Sequence, residues 1–312
     1  MSAAARGGFV PFSFEVFPAR SARAALSLGH TVQNLAAAGP DFISVTYGAS
    51  GSSRDSSLDL LRYIREHTTA KPLAHLTSIG STRAEIEQLV AEFCAAGVYD
   101  FLALRGDPPA GVPEEEVELG ELGDTAELVR LIRATVARRV AEHAPDVGLA
   151  GAGPAAGRVC IAAFPNGHIR SETKHQDVLA LLAKQEAGAE FAITQLFFYA
   201  DDYLDYVAAA REAGVSIPIL PGLMPVSTEA QLRKVSELAG QVAPADLLAD
   251  FQAADGFAPE YGVAHTTRLA TELIESGAPG IHLYTFNRHQ SALSVLRELG
   301  VITTHPFDKE IA

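Results

Sequence analysis

The 312-residue sequence lacks several features that mark particular classes of protein. It has only two cysteines, Cys94 and Cys160, which are too few for a disulfide framework or a zinc site, and we expect both to be core thiols. No apolar run is long enough to cross a bilayer, and the first residues contain no hydrophobic signal region. We therefore expect a cytoplasmic protein without a membrane partner.

Basic residues are also scarce. The chain has 24 Lys and Arg against 38 Asp and Glu, a net charge of −14 and a pI near 5.1, which disfavours a nucleic-acid partner. The ten histidines are scattered without metal-ligand spacing, and the acidic run at 113–124 does not have the spacing of a calcium loop. We predict no metal site.

What the sequence does contain is a regular alternation of strand and helix patterns. Eight short segments rich in β-branched and aromatic residues begin near positions 12, 42, 72, 100, 158, 191, 217 and 280. Amphipathic helical patterns lie between them, and several end in a glycine within "AAG", "EAG" or "ESG". This alternation predicts one (β/α)8 TIM barrel over residues 1–312, with an extra helix between strands seven and eight, at 228–262.

A charged residue interrupts the first strand, "FSFEVFP". Side-chain alternation places Ser13, Glu15 and Phe17 on one face. In a parallel barrel the strand ends form the active site, where desolvation would raise the pKa of Glu15 and let it act as a general acid. The alternative is an ion pair with an internal arginine such as Arg105. For Gln195, in the sixth strand, the alternative is a core amide bonded to backbone.

Seven segments together identify a family. The stretches "FSFEVFP", "VTYGASGSSRD", "HLTSIGST", "ALRGDPP", "ITQLFF", "PGLMPVS" and "HLYTFNR" occur in the order found in 5,10-methylenetetrahydrofolate reductases, which this chain resembles from about Phe12 to Arg288. That resemblance implies reduction of 5,10-methylenetetrahydrofolate to 5-methyltetrahydrofolate by a reduced nicotinamide, normally through bound FAD in a ping-pong route.

The resemblance also implies roles for individual residues. Glu15 would protonate N10 and open the imidazolidine ring, Asp107 would lie near the pterin and the flavin, and Gln195 would pair with the pterin edge. Tyr284 and Arg288 would bind substrate with Asp107 and Gln195. The remaining matched positions would contact the cofactor: Thr46, His75, Arg105, Gly106, Phe164, His168, Asp177 and Lys184.

The sequence departs from the family in the helix after strand five. Ala180 and Ala183 stand where an Asn and an Arg usually hold the flavin's ribityl and phosphate portion, and Phe164 stands where a tyrosine is common. An alanine cannot replace a charge-assisted contact to phosphate. We therefore expect a flavin-independent enzyme that uses NADH rather than NADPH, because no basic cluster is present to bind a 2′-phosphate.

Three alternatives remain open from the sequence. Arg170 or Lys174 could hold the phosphate instead, which would restore the FAD enzyme. A pterin-binding methyltransferase could use the same barrel, although the zinc cysteines of its thiol-dependent form are missing. A non-catalytic folate-binding protein would have no need of Glu15. The sequence does not decide the oligomeric state, and a homo-oligomer remains one alternative.

Overall fold

A computed structural model describes residues 10–46, 54–106, 120–143 and 157–303. The strands are β1 (Phe12–Val16), β2 (Ile43–Val45), β3 (Pro72–Thr77), β4 (Asp100–Leu104), β5 (Val159–Ala163), β6 (Phe191–Thr194), β7 (Ile219–Leu220), β8 (Gly222–Leu223) and β9 (Ile281–Tyr284). The helices are α1 (Ala22–Ala37), α2 (Arg54–His67), α3 (Arg83–Ala95), α4 (Thr125–His143), α5 (Lys174–Glu186), α6 (Ala200–Glu212), α7 (Glu229–Leu238), α8 (Ala245–Ala253), α9 (Pro259–Glu275) and α10 (His289–Glu298).

The strands form one parallel sheet that closes on itself. Its order is β7-β6-β5-β4-β3-β2-β1-β9-β8, so the two ends of the order are β7 and β8, which only Pro221 separates. One short segment thus pairs with β6 on one side and with β9 on the other. The predicted TIM barrel is confirmed, with its seventh strand split at a residue that has no N–H to donate.

Local sequence signals account for the helix ends. Thr82 and Glu85 form a capping box at the start of α3, and the side chains of Ser21, Thr173 and Thr228 cap α1, α5 and α7. The predicted terminal glycines all have positive φ: Gly39, Gly97, Gly188, Gly214 and Gly277. The extra helical region between the last strands holds two short helices, α7 and α8, before α9.

The barrel encloses a small core of its own beneath the site. Phe42, Leu73, Leu102, Cys160, Phe191 and Ile193 form this inner cluster, whereas the larger apolar cluster lies between the sheet and the helices. Cys94 and Cys160 are both buried free thiols, as expected. The inner cluster fills the lower part of the barrel and leaves the carboxyl ends of the strands for polar side chains.

Candidate active site

A cavity of about 480 Å³ opens at the carboxyl ends of the strands. Four residues predicted from the sequence line it together: Glu15, Thr46, Gln195 and Tyr284. Its other walls come from the segments after β1, β6, β8 and β9 and from the end of α7: Phe17, Pro18, Arg20, Leu196, Met224, Val235, Leu238, Ala239, Thr285 and Phe286. The volume and the mixture of apolar walls with a few polar groups suit a small organic ligand.

Glu15 lies at the base of this cavity between two imidazoles. Its Oε2 is 3.5 Å from Nε2 of His75 on β3 and 3.8 Å from Nε2 of His282 on β9. The Thr46 hydroxyl donates to Oε1 at 3.3 Å. Arg105, the alternative partner considered from the sequence, is not among these contacts. The carboxylate of Glu15 therefore has histidines rather than an arginine beside it.

His282 was missed by the sequence analysis. It is fully buried, it pairs in register with Ser13 across β1 and β9, and its Nδ1 lies 2.8 Å from the Ser13 hydroxyl. Its ring also stacks on Phe42, with centroids 5.8 Å apart. The available signal was its position two residues before Tyr284 in an otherwise apolar strand, which puts both side chains on the inner face.

The electrostatic environment of Glu15 reverses one expectation. Burial by itself raises the pKa of the Glu15 carboxyl, but His75, His282 and Thr46 together outweigh burial and lower that pKa from its ordinary value of 4.5. The predicted rise in pKa is therefore wrong. The sequence showed the apolar strand around Glu15 but not the two histidines that other strands bring to it.

Two neighbours of Glu15, His75 and Tyr284, are neutral near neutral pH. Burial is the main cause that lowers the pKa of His75, and Glu15 opposes it only in part. Burial, helped by the charge of Glu15, raises the pKa of Tyr284 well above its ordinary value, and its hydroxyl donates to the carbonyl of Thr194 at 2.7 Å. The Tyr284 hydroxyl is thus protonated and held in one position where the residue lines the cavity.

Gln195 combines both interpretations made from the sequence. Its Oε1 accepts a hydrogen bond from the backbone N–H of Leu196 at 2.8 Å, as a structural amide would. The half-buried side chain nevertheless lines the cavity. Because a carbonyl oxygen has two lone pairs, the amide can still offer one donor and one acceptor to a ligand.

Two further predicted residues stand at the end of β4. The carbonyl of Arg105 accepts from the N–H of Ile79 at 2.8 Å, which ties this strand end to the segment after β3. At Gly106 an added Cβ would lie 2.7 Å from the Ile79 side chain and 3.0 Å from Thr77, so only glycine fits there. Asp107, predicted to be catalytic, lies outside the described residues.

Arg288 is placed differently from the other predicted substrate residues. It is exposed, it immediately precedes α10 as the N-cap residue, and it is not among the residues lining the cavity. Its backbone N–H donates to the carbonyl of Thr285 at 2.9 Å. A contact between the Arg288 side chain and substrate stays a prediction.

Four predicted cofactor residues form a separate group beyond β5. The rings of Phe164 and His168 pack edge to face with centroids 4.6 Å apart. Asp177 is buried, and its two carboxylate oxygens accept from the Ser171 hydroxyl at 2.6 Å and the His168 N–H at 3.0 Å. The pKa of Lys184 is below its ordinary value, because burial lowers it and the charges of Asp177 and Asp124 oppose this effect only in part. None of the four lines the cavity around Glu15.

The outer face of α5 does not supply a phosphate-binding group at the two family positions. Ala180 and Ala183 are both exposed, and Leu179 beside them is 47% exposed. Asp177, in the first turn of the same helix, is buried, and both of its carboxylate oxygens already accept hydrogen bonds. These α5 residues therefore do not fit the ribityl and phosphate portion of a flavin.

The described residues lack the features of two other classes of protein. No group of three or more His, Cys, Asp or Glu side chains in that part of the chain is arranged to hold a metal ion. Over the same residues, no helix is both long enough and apolar enough to cross a membrane.

Comparison with known proteins places the chain among folate enzymes. The family model for methylenetetrahydrofolate reductase matches residues 1–300. A 5,10-methylenetetrahydrofolate reductase of Salmonella typhimurium is 30% identical over 297 residues, covering 94% of this chain and 92% of that protein. A probable methylenetetrahydrofolate reductase (NADH) of Oryza sativa is 29% identical over 96% of this chain but over only 50% of its own length.

The barrel also resembles a solved structure. A Clostridium thermocellum protein described as binding two copies of 5-methyl-5,6,7,8-tetrahydrofolic acid superposes with a TM-score of 0.61. The alignment covers 95% of each chain at 14% sequence identity. At that identity the likeness establishes the fold alone.

Proposed function

The chain belongs to the methylenetetrahydrofolate reductase family, and from this premise we propose that it reduces 5,10-methylenetetrahydrofolate with NADH by direct hydride transfer, without flavin. Membership of the family makes the chain an oxidoreductase. The finer proposal rests chiefly on one observation. The acid–imidazole cluster at Glu15 opens into a cavity, while α5 lacks the side chains that would hold a flavin phosphate.

The reaction needs one proton and one hydride. Glu15 protonates N10 of the substrate, the bond between N10 and the bridging methylene carbon breaks, and a 5-iminium cation forms. The hydride leaves C4 of NADH with its electron pair and adds to that carbon, which gives 5-methyltetrahydrofolate and NAD⁺. The proton and hydride balance the equation without another electron carrier.

The lowered pKa of Glu15 determines at which stage of the reaction its carboxyl is protonated. Near neutral pH the carboxyl is ionised before substrate binds, because its pKa lies below 4.5. The side chain is 21% exposed, so a ligand that fills the cavity removes its remaining water and raises its pKa. We infer that Glu15 takes up a proton as substrate binds, beside the imidazole of His75, whose Nε2 lies 3.5 Å from its Oε2.

The cavity walls suggest how the two reactants are oriented. Gln195 can offer its amide to the pterin edge, as the family resemblance implies, and Tyr284 provides a rigid neutral surface beside it. In this proposal the nicotinamide ring lies against the pterin at the reacting carbon, within reach of Thr46. Asp107 keeps its proposed place near the pterin, and the whole barrel, residues 1–312, acts as one catalytic unit.

NADH is proposed over NADPH for two reasons. The sequence has no basic cluster to recognise a 2′-phosphate, and the plant relatives carry NADH in their names. The proposed folate ligand agrees with the description of the Clostridium thermocellum neighbour, which shares the barrel fold and is described as binding 5-methyl-5,6,7,8-tetrahydrofolic acid, the product proposed here.

The experiment is anaerobic turnover with protein whose visible spectrum shows no bound flavin. NADH carrying deuterium at C4 is mixed with 5,10-methylenetetrahydrofolate in ordinary water, and the product methyl group is examined by mass spectrometry. Direct transfer predicts turnover without added flavin and deuterium in the methyl group. Transfer through a flavin would lose much of that label to solvent, because the reduced flavin N–H exchanges.

Two other outcomes would overturn the proposal in different ways. Turnover only after FAD is added would identify an ordinary ping-pong flavoenzyme whose phosphates are held by residues such as Arg170 or Lys174. No turnover with or without FAD, together with tight folate binding, would identify a non-catalytic folate-binding protein.

A further inference from the structure

The segment that follows β9 has an unusual backbone. Phe286 and Asn287 have φ values of 48° and 58°, and they are two of the three non-glycine residues with positive φ among the described residues. A bulky aromatic residue rarely adopts this left-handed conformation, because its Cβ crowds the neighbouring carbonyl. Two such residues in succession persist only where surrounding contacts hold them, which often happens beside a functional site.

The side chain of Asn287 supplies such contacts. Its Oδ1 accepts from the backbone N–H of Phe17 at 2.9 Å, and its Nδ2 donates to the carbonyl of the same residue at 2.7 Å. The pairing of β1 with β9 ends at Glu15 and Tyr284. The amide therefore continues the hydrogen bonding of β1 after the neighbouring strand has ended.

Thr285 holds the other side of the same turn of chain. Its hydroxyl donates to the carbonyl of Glu15 at 2.7 Å and accepts from the N–H of Asn287 at 3.1 Å. The carbonyl of Asn287 is itself held by the hydroxyl of Thr31 on α1, at 3.2 Å. The backbone of Glu15 and that of Phe17 are thus both fixed from one segment, on either side of Val16.

This arrangement shapes the cavity as well as the strand end. The rings of Phe17 and Phe286 pack edge to face with centroids 6.0 Å apart, and both residues line the cavity. Each is about two-fifths exposed, so their position depends on the backbone contacts more than on burial. A shift of this segment would move the cavity wall and the carboxyl of Glu15 together.

We propose that Asn287 is a positioning residue for Glu15, acting through the backbone of Phe17. The proposal rests on the proposed function, in which Glu15 delivers the proton. By fixing the end of β1, Asn287 keeps the Glu15 carboxyl against His75 and His282 and facing the cavity. It touches neither substrate nor the reacting atoms.

The test is Asn287→Gly, which removes the amide but accepts the positive φ without strain. We expect kcat to fall roughly tenfold or more, since an ångström of misplacement can cost about a hundredfold, while the KM for NADH changes less. A second readout is the ¹³C NMR titration of the Glu15 carboxyl, assigned with Glu15→Gln. Its pKa should rise toward the ordinary 4.5 as contacts with His75, His282 and Thr46 weaken, with Tyr284 the other titratable neighbour.

Gln185→Ala is the matched control. The Oε1 of Gln185 accepts from the N–H groups of Ser216 and Ile217 at 2.7 and 3.0 Å, a similar amide brace at the opposite end of the barrel. This variant should lose stability but keep the wild-type kcat and Glu15 titration. A wild-type Glu15 titration in Asn287→Gly would overturn the proposal. If the wild-type protein shows no turnover, the proposed function fails, and the titration still decides the role of Asn287.

Discussion

At the scale of single residues, Glu15 derives its chemistry from its neighbours. A carboxyl in an apolar strand would ordinarily be neutral, but the imidazoles of His75 and His282 favour its charged form. The cluster therefore holds a carboxylate beside a neutral imidazole and can accept a proton when substrate displaces water. We expect this arrangement to be visible both in turnover and in the pH dependence of stability.

Glu15→Gln should remove turnover while sparing the fold. The amide has nearly the same shape but no acidic proton, so kcat should fall by about 10²–10⁴. Folate binding, measured by calorimetry, should stay close to wild type, and the free energy of unfolding should fall only slightly, because the amide loses the charged contacts with His75 and His282. Glu190→Gln, at the opposite end of the barrel in a half-exposed pair with Arg133, is the control that should leave kcat unchanged. Near-normal turnover of Glu15→Gln would remove this residue from the mechanism.

The pKa of His75 predicts acid sensitivity. Because burial lowers this pKa from 6.5, the unfolded chain binds more protons than the folded chain as the pH falls below about 6.5. The free energy of unfolding should therefore decrease with acidification in this range. Glu15 acts in the same direction at lower pH, since its stabilising contribution is present above pH 4.5 and is lost as the pH falls through its lowered folded pKa.

Urea unfolding of His75→Gln across this pH range would test that prediction. The variant should lose less stability than the wild type between about pH 6.5 and pH 5. His175→Gln, which changes an exposed histidine at the start of α5, should follow the wild-type curve. Parallel curves for the wild type and His75→Gln would contradict the assignment of a neutral buried imidazole.

At the scale of secondary-structure elements, α5 separates this chain from the flavin-binding pattern that its family resemblance implies. The helix is in the predicted place, and it carries Asp177 and Lys184. The exposed Ala180 and Ala183, however, offer only methyl groups where polar side chains would be needed. The difference is one of side-chain chemistry on a preserved helix, so it should be reversible by substitution.

The double variant Ala180→Asn/Ala183→Arg should gain affinity for FAD. An arginine that contacts phosphate makes a charge-assisted hydrogen bond of about 1.5–3 kcal/mol, which corresponds to roughly tenfold or more in Kd. Flavin fluorescence titration would measure the gain. Ala208→Asn/Ala209→Arg adds the same groups to the exposed face of α6 and should bind no better than wild type. Equal affinity of the two double variants would show that α5 is not the determinant.

At the scale of the whole molecule, the barrel has a polar site at one end and an ion-pair cluster around Arg158 at the other. The Nε of Arg158 donates to Asp100 at 2.9 Å, and its Nη1 donates to Asp41 at 3.1 Å. The guanidinium also lies over the rings of Phe42 and Phe191, at 5.6 and 5.5 Å from their centroids. Phe42 in turn stacks on His282, so the Arg158 cluster is connected through Phe42 to the histidine beside Glu15.

Arg158→Met should destabilise the barrel by about 2–3 kcal/mol, because it leaves the poorly exposed carboxylate of Asp100 without its partner. Activity at room temperature should stay near wild type, since the substitution is at the far end from the cavity. Arg138→Met, which breaks an exposed ion pair with Glu87, should cost less than about 1 kcal/mol. Chemical unfolding of both variants measures the difference, and equal losses would contradict the role given to Arg158.

The sequence predicted the position of several residues of the candidate site because the relevant signals are local. Glu15, Thr46, His75, Gln195 and Tyr284 were all identified from strand position or motif, and the structure places them in or beside one cavity. His282 was missed since a lone histidine in an apolar strand is usually a core residue. The direction of the Glu15 pKa shift was wrong because it depends on partners from other strands.

The sequence by itself determined the alternation of strands and helices, the glycines that end the helices, the family and the absence of polar side chains at positions 180 and 183. These features follow from periodicity, backbone preference and residue identity, which act over a few neighbouring residues. Only the tertiary structure decided the closure of the barrel at Pro221, the two imidazoles beside Glu15 and the amide of Asn287 at Phe17. Each of these contacts joins residues far apart in the chain, and the pKa of a buried group depends on every charge and hydrogen bond that folding brings to it.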